Sequence, residues 1–143
     1  MSQSTNNPSA QGVQPPELDE SAVRAALDSH YLAWAAGDAD AFVSGYTEGA
    51  TVCLPGVFNA GRDAVRKYMA DAFAGPLKGS RGIDDPISVR VDGDTAVVVS
   101  KAGMLMAGEQ TLPPEREVLA TWVLVRRDSR WLVTSYHNCP ASR

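Results

Sequence analysis

From Leu18 onward, apolar side chains return at the spacing of a helix: Val23, Leu27, His30 and Trp34 fall within a narrow arc of one face, with Ala26 and Tyr31 on its flanks. Asp19 or Ser21 can cap this helix, which runs to Ala36, and Gly37 supplies its stop. Asp38 or Asp40 then starts a second, short helix through Tyr46. Thr51-Val52-Cys53-Leu54 reads as a strand, which Pro55-Gly56 turns into a short partner, Val57-Phe58-Asn59. Gly61-Arg62-Asp63 opens a third helix whose face carries Val65, Tyr68, Met69, Ala72 and Phe73, and Gly75-Pro76 ends it. After Gly79 the period changes to two. Ile87, Val89 and Val91 alternate with polar residues, Asp92-Gly93-Asp94 forms a hairpin turn, and Thr95 to Ala107 is a long strand rich in Val and Met. Gly108 to Pro114 is a loop, and Glu115 to Arg127 and Arg130 to Asn138 form a second hairpin across Asp128-Ser129. The last three long strands should therefore form an antiparallel meander, and helices followed by sheet make the class α+β.

His30 breaks the carbon logic of the first helix. It lies four residues before Trp34 and seven after Val23, where an aliphatic side chain is expected. A buried imidazole needs a hydrogen-bond partner. Two readings stand: a structural partner such as a backbone carbonyl or a tyrosine hydroxyl, or a polar floor in a ligand pocket.

Composition narrows the classes of function. With 143 residues the chain is long enough to bury a single core without staples, so residues 18–140 are expected to be one domain. Residues 1–17, rich in Ser, Gln, Asn and Pro, are expected to be a disordered tail. A net charge of −4 and 13 dispersed basic residues argue against nucleic acid as a partner. Arg126, Arg127 and Arg130 are the one dense basic group, expected at a solvated hairpin end. No signal-peptide pattern and no run of 18 apolar residues occur, so neither secretion nor a membrane partner is expected and a cytoplasmic location is the default. Cys53 and Cys139 stand outside any CxxC or Cys/His array and read as ordinary small side chains. No metal-spaced histidine pair, GxGxxG after a strand, P-loop or GxSxG occurs, so neither a cofactor nor a metal is expected.

The order of elements, with the strings Ala35-Ala36-Gly37-Asp38, Ala50-Thr51-Val52, Asn59-Ala60-Gly61-Arg62-Asp63-Ala64-Val65, Asp128-Ser129-Arg130-Trp131-Leu132-Val133 and His137-Asn138, resembles the NTF2-like superfamily, in particular its SnoaL-like and SgcJ/EcaC branch. The likeness spans residues 18 to 140, and its motifs are structural: corner, strand start, helix start, hairpin. It implies three N-terminal helices packed in a strongly bent, mostly antiparallel sheet, a cone open at one end onto a deep apolar pocket, and usually a homodimer. In length and tail the chain looks like members of that branch from enediyne antibiotic biosynthesis. Relatives include isomerases, dehydratases, cyclases, epoxide hydrolases and non-catalytic binding domains, so fold alone does not choose among them. The departures are informative. Where the ketosteroid isomerases of this superfamily carry an aspartate base, this chain has Leu54; their helix-one tyrosine falls on His30, and their acidic oxyanion partner falls at or beside Trp122.

On the cone reading, strand alternation turns Val118, Ala120, Trp122 and Leu124 inward on one strand, and Thr134, Tyr136 and Asn138 on the last, opposite His30, Tyr31 and Trp34. Trp34, Leu54 and Trp122 would hold a hydrophobic ligand, with Asn138 as a polar handle. His30 is the candidate acid or base, and Tyr31, Tyr136, Lys101 or Asn138 would polarise a carbonyl. Lys101 interrupts an apolar strand and can instead snorkel at an edge. His137 is out of phase with Asn138, and only a bulge would aim both inward, which keeps it as a second-choice acid or base. Glu115 and Glu117, flanking Arg116, read as a solvated strand entrance. Arg62 and Asp63 read as structural.

The leading expectation is a small-molecule binding protein or cofactor-free enzyme, of cyclase, isomerase, dehydratase or hydratase type, acting on a polyketide or polyene intermediate. The competing one is a non-catalytic carrier or accessory protein assisting a polyketide synthase or thioesterase. A third is an oligomeric assembly module using the outer sheet face.

Overall fold

The computed structural model describes residues 16–142. The expected tail, residues 1–17, lies outside them except for its last two positions, which already belong to helix α1, Pro16–Ala35. Pro is well suited to the first turn of a helix, because the N–H it lacks would find no intrahelical partner there. The corner follows at Gly37, whose φ of 66° needs no Cβ. Asp38 then caps α2, Ala39–Val43, by accepting from the Ala41 N–H at 3.0 Å. This helix ends three residues earlier than expected. Tyr46 instead opens strand β1, Tyr46–Leu54, because the Gly45 carbonyl accepts from the Val133 N–H and Tyr46 pairs with Val133 of the last strand.

The remaining elements are β2, Val57–Ala60; α3, Arg62–Ala74; β3, Arg81–Asp92; β4, Thr95–Leu105; a 3₁₀ turn, Pro114–Arg116; β5, Val118–Arg127; and β6, Arg130–Pro140. They form one curled six-stranded sheet in the order β2-β1-β6-β5-β4-β3, antiparallel throughout except for β1 against β6. The β5–β6 turn is Asp128-Ser129, both with positive φ (52° and 65°), the conformation that matches the right-handed twist of its strands. Glu115 lies in the 3₁₀ turn and Glu117 just after it, so β5 starts at Val118, later than expected. Among the described residues no helix is long and apolar enough to cross a membrane.

Bulges in β3 and β6 set which of their side chains face the helices. Ile87 is an extra residue in β3 between the pairs Pro86–Ser100 and Ser88–Val99; it is 54% exposed, while Val89 and Val91 pack on the core. Thr134 is the extra residue in β6, between Val123–Ser135 and Leu124–Val133. The inward set of β6 is therefore Trp131 and Val133 before the bulge and Tyr136 and Asn138 after it. Thr134, expected inside, bonds the Thr47 hydroxyl at 3.1 Å instead. The core joins Val23 and Leu27 of α1, Phe42 of α2 and Val65 and Met69 of α3 to Val98, Trp122, Leu124 and Val133 of the sheet.

Arg126 departs from the expected solvated hairpin end. Its guanidinium bonds Asp19 of α1 at 3.0 Å and Asp94 at 2.8 Å and lies 5.3 Å from the Trp131 ring, with only 17% of the side chain exposed. Asp19, expected as a cap, is thus a buried anchor that ties the start of α1 to the sheet. Replacing Arg126 by Met should cost about 3 kcal/mol, since it leaves the Asp19 carboxylate buried without its cation. Urea denaturation checks this, and the Asp19→Leu, Arg126→Met double variant should recover much of the loss.

Candidate functional site

Between the helices and the concave face of the sheet lies a cavity of about 370 Å³. Helix α1 contributes His30, Tyr31 and Trp34 to its wall, β1 contributes Tyr46, Val52 and Leu54, α3 contributes Tyr68 and Met69, and the sheet contributes Ala102, Val118, Trp122, Tyr136 and Asn138. Seven of the nine expected site residues therefore meet there: His30, Tyr31, Trp34, Leu54, Trp122, Tyr136 and Asn138. Lys101 and His137 do not. Lys101 is exposed because its neighbour Ala102 takes the inward phase of β4, and His137 is exposed because the bulge falls at Thr134, upstream, and leaves Tyr136 and Asn138 inward.

The cavity wall is aromatic and closely interlocked. His30 meets Trp122 edge-on at 4.8 Å between centroids and Tyr31 at 4.9 Å, and lies 4.1 Å from Phe42. Trp122 in turn lies 4.3 Å from Tyr136. Trp34 is fixed by its own N–H, which donates to the Ser80 hydroxyl at 2.9 Å, and Ser80 donates onward to the Leu77 carbonyl.

The buried polar groups His30, Tyr46 and Tyr136 of this wall are neutral. Burial drops the pKa of His30 to about 3, so the ring is an uncharged imidazole at pH 7. Its Nδ1 lies 3.4 Å from the Tyr46 hydroxyl. Tyr46 is itself buried, its pKa raised well above normal chiefly by that burial, and His30 Nδ1 is the acceptor its proton finds among the described residues. Satisfying that proton assigns the His30 hydrogen to Nε2. Tyr136 accepts from the Asn138 amide at 2.8 Å, which leaves its own proton free to donate; burial pushes its pKa up to about 12, against the opposing effect of the Asn138 bond. The neutral donors of the site therefore include His30 Nε2–H and Tyr136 O–H.

Asp84 of β3 was not singled out in the sequence. Its Oδ2 accepts from the Tyr31 hydroxyl at 2.9 Å and from the Trp122 indole N–H at 3.2 Å, while Oδ1 is buried without a partner among the described residues. Burial first, and the Asp84 carboxylate second, raise the Tyr31 pKa far above normal, so Tyr31 keeps its proton and spends it on Asp84. At the rim, Arg116 donates to the Met104 carbonyl at 3.0 Å and pairs with Glu109, whose carboxyl it holds below the usual range. Leu112, from the same loop, fills the space that a side chain at Gly103 would need. Arg116, expected only at a solvated strand entrance, is a rim residue of the cavity.

The depressed His30 pKa has a sign that can be tested. The folded state holds the ring neutral while the unfolded chain takes up a proton below pH 6.5, so stability should fall as pH drops from about 6.5 towards about 3. Between pH 6.5 and 5 the loss should be about 2 kcal/mol. Urea denaturation across that range should show this slope in the wild type and its removal in His30→Phe.

A SnoaL-like domain family model matches residues 23–141. No curated protein sequence matches the chain. Among solved structures, a domain of unknown function with a cystatin-like fold from Nostoc punctiforme is 24% identical with a TM-score of 0.80, over 90% of this chain and 81% of that one. An NTF2-like protein with a cystatin-like fold from Novosphingobium aromaticivorans is 20% identical with a TM-score of 0.76, over 87% and 84%. A protein from Streptomyces avermitilis, named as a candidate dehydratase of the NTF2-like family, is 25% identical with a TM-score of 0.77, over 90% of this chain and 100% of that one. With the family model spanning nearly all of the folded residues and the curled sheet around three helices shared with these structures, the chain belongs to the SnoaL-like domain family on the NTF2-like fold.

Proposed function

We propose that the cavity binds a conjugated polyketide or polyene intermediate of natural-product biosynthesis, of the enediyne type that the sequence resemblance implies, and carries out cofactor-free proton-transfer chemistry on it: cyclisation, isomerisation, dehydration or hydration. The observation that carries this reading is a pair of neutral donors, His30 Nε2–H and Tyr136 O–H, set in a largely apolar wall. Water-excluded donors of this kind are worth most where charge develops on a carbonyl oxygen. A neutral imidazole with so low a pKa is a poor base at pH 7, so His30 acts here as an electrophile and not as the proton acceptor. Trp34 offers an aromatic surface to a conjugated chain, Trp122 backs the wall from a position only 1% exposed, and on the resemblance Leu54 stands where related isomerases carry their aspartate base.

The second reading is a carrier that shields a reactive polyene for a polyketide synthase or thioesterase, and Leu54 is what favours it. Either reading expects a cytoplasmic homodimer, and Phe58, Ile87 and Leu119 are exposed apolar side chains that a partner can cover.

The two separate in one experiment, a reconstituted polyene-producing synthase reaction supplied with this protein. If the donors do chemistry, Tyr136→Phe and His30→Gln should each lower product formation by roughly 100-fold while retaining most of the ligand affinity. Unchanged product formation in both variants would establish the carrier instead, and Trp122→Ala should then lose affinity.

A further inference from the structure

We infer that Asp84 is the proton acceptor of this site, acting through Tyr31, and that it exchanges its proton with solvent through a second, more polar cavity that Tyr31 and Asp84 both line. The inference rests on the ligand-pocket reading above.

Tyr31 lines both cavities. It faces the apolar chamber together with His30, Trp122 and Tyr136. It also borders a smaller cavity walled by Arg24, Leu27, Asp28, Gly82, Asp84 and Pro86, whose wall is far more polar than that of the first. The Tyr31 proton is committed to Asp84 Oδ2, so the phenol cannot also donate to a ligand carbonyl, and its oxygen is left as an acceptor. None of the residues lining the aromatic chamber is a carboxylate, and Asp84 is one hydrogen bond behind that lining. Asp84 is also held for the role. Trp122 donates to the same Oδ2, which fixes the carboxylate plane, and Oδ1 is buried with no partner among the described residues. A second buried oxygen, Ser100 Oγ, also has no partner among the described residues and lies on the adjacent strand, where Ser100 pairs with Pro86, two residues from Asp84. A buried carboxyl with one oxygen doubly engaged and the other unspent leaves an acceptor that the fold itself does not use.

The step balances without a co-reactant. A proton leaves a ligand C–H next to a carbonyl and enters the Tyr31 oxygen, while the Tyr31 proton passes to Asp84 Oδ2. The electron pair of the broken C–H bond becomes the enolate, whose oxygen is held by Tyr136 O–H and His30 Nε2–H. Asp84, now neutral, returns the proton by the same path to another ligand atom, or releases it to water in the polar cavity. Gly82 is the positioning residue: a Cβ there would overlap the edge of the Tyr31 ring, so only glycine lets the phenol sit against β3 within reach of Asp84.

The test uses β-ionone, an apolar conjugated ketone with exchangeable hydrogens next to its carbonyl. Its binding is read by quenching of tryptophan fluorescence, and its deuteration in ²H₂O by mass spectrometry. The wild type should bind it and accelerate exchange over buffer. Asp84→Asn and Tyr31→Phe should each reduce that acceleration roughly 100-fold while affinity changes by less than about threefold. Gly82→Ala should reduce it as well, by moving the phenol rather than removing it. Thermal melting establishes that each variant is folded, and Tyr31→Phe decides the matter should Asp84→Asn fail to fold. Bound β-ionone with no acceleration in the wild type, or full acceleration in a folded Asp84→Asn or Tyr31→Phe, overturns the relay and leaves the pocket reading standing. Failure of the wild type to bind overturns the pocket reading, and the relay with it.

Discussion

The indole of Trp122 is packed against His30, Tyr31 and Tyr136 and hydrogen-bonded to Asp84, so one side chain of β5 fixes the position of the polar groups on which the site's chemistry rests. At 1% exposure it is among the most buried residues of the chain, and truncating such a ring costs several kcal/mol through lost contacts alone. Its N–H adds direction to that packing. Oriented by Asp84, the ring cannot slide along the sheet without breaking a buried hydrogen bond, and the imidazole and phenols that lean on it inherit its position.

Around this ring the protein separates charge from neutrality. The chamber holds uncharged donors, because desolvation drives His30 to its neutral form and keeps Tyr46 and Tyr136 protonated. At the rim Arg116 pairs with Glu109, and the carboxyl of Asp84 stands behind Tyr31. Such a chamber favours an uncharged apolar ligand, and any charge that forms during a reaction is met by dipoles already in place.

Most of this was legible in the sequence wherever the strands were regular. On β5 the alternation of Val118, Ala120, Trp122 and Leu124 runs without interruption, and all four face inward as their spacing demands. On β6 a bulge at Thr134 resets the phase, and nothing in the local sequence announces a bulge between two runs of good strand formers. The start of β3 was invisible for a different reason: Gly82, Asp84, Asp85 and Pro86 are all weak strand formers, and the segment is ordered by pairing with β4 rather than by its own preference. Asp84 was hidden with it. A usable signal was present in the two adjacent acids before Pro86, since a carboxylate on a strand that packs beside a helix must find donors. Lys101 was readable too, because Ala96, Val98, Ser100 and Ala102 share the opposite phase and leave the lysine outside.

The parallel pairing of β1 with β6 has a consequence in time. Thr47 and Thr134, whose hydroxyls meet across that seam, are separated by 87 residues of chain. Until the C-terminal strand emerges from the ribosome, β1 has no neighbour but the short β2, and the floor formed by Tyr136 and Asn138 does not yet exist. Local helices and the β3–β4 hairpin can assemble early, whereas so distant a closure is slow. The receptacle is therefore the last feature to mature, and a nascent polypeptide stalled before its final strand would display the aromatic lining as a sticky, chaperone-dependent surface.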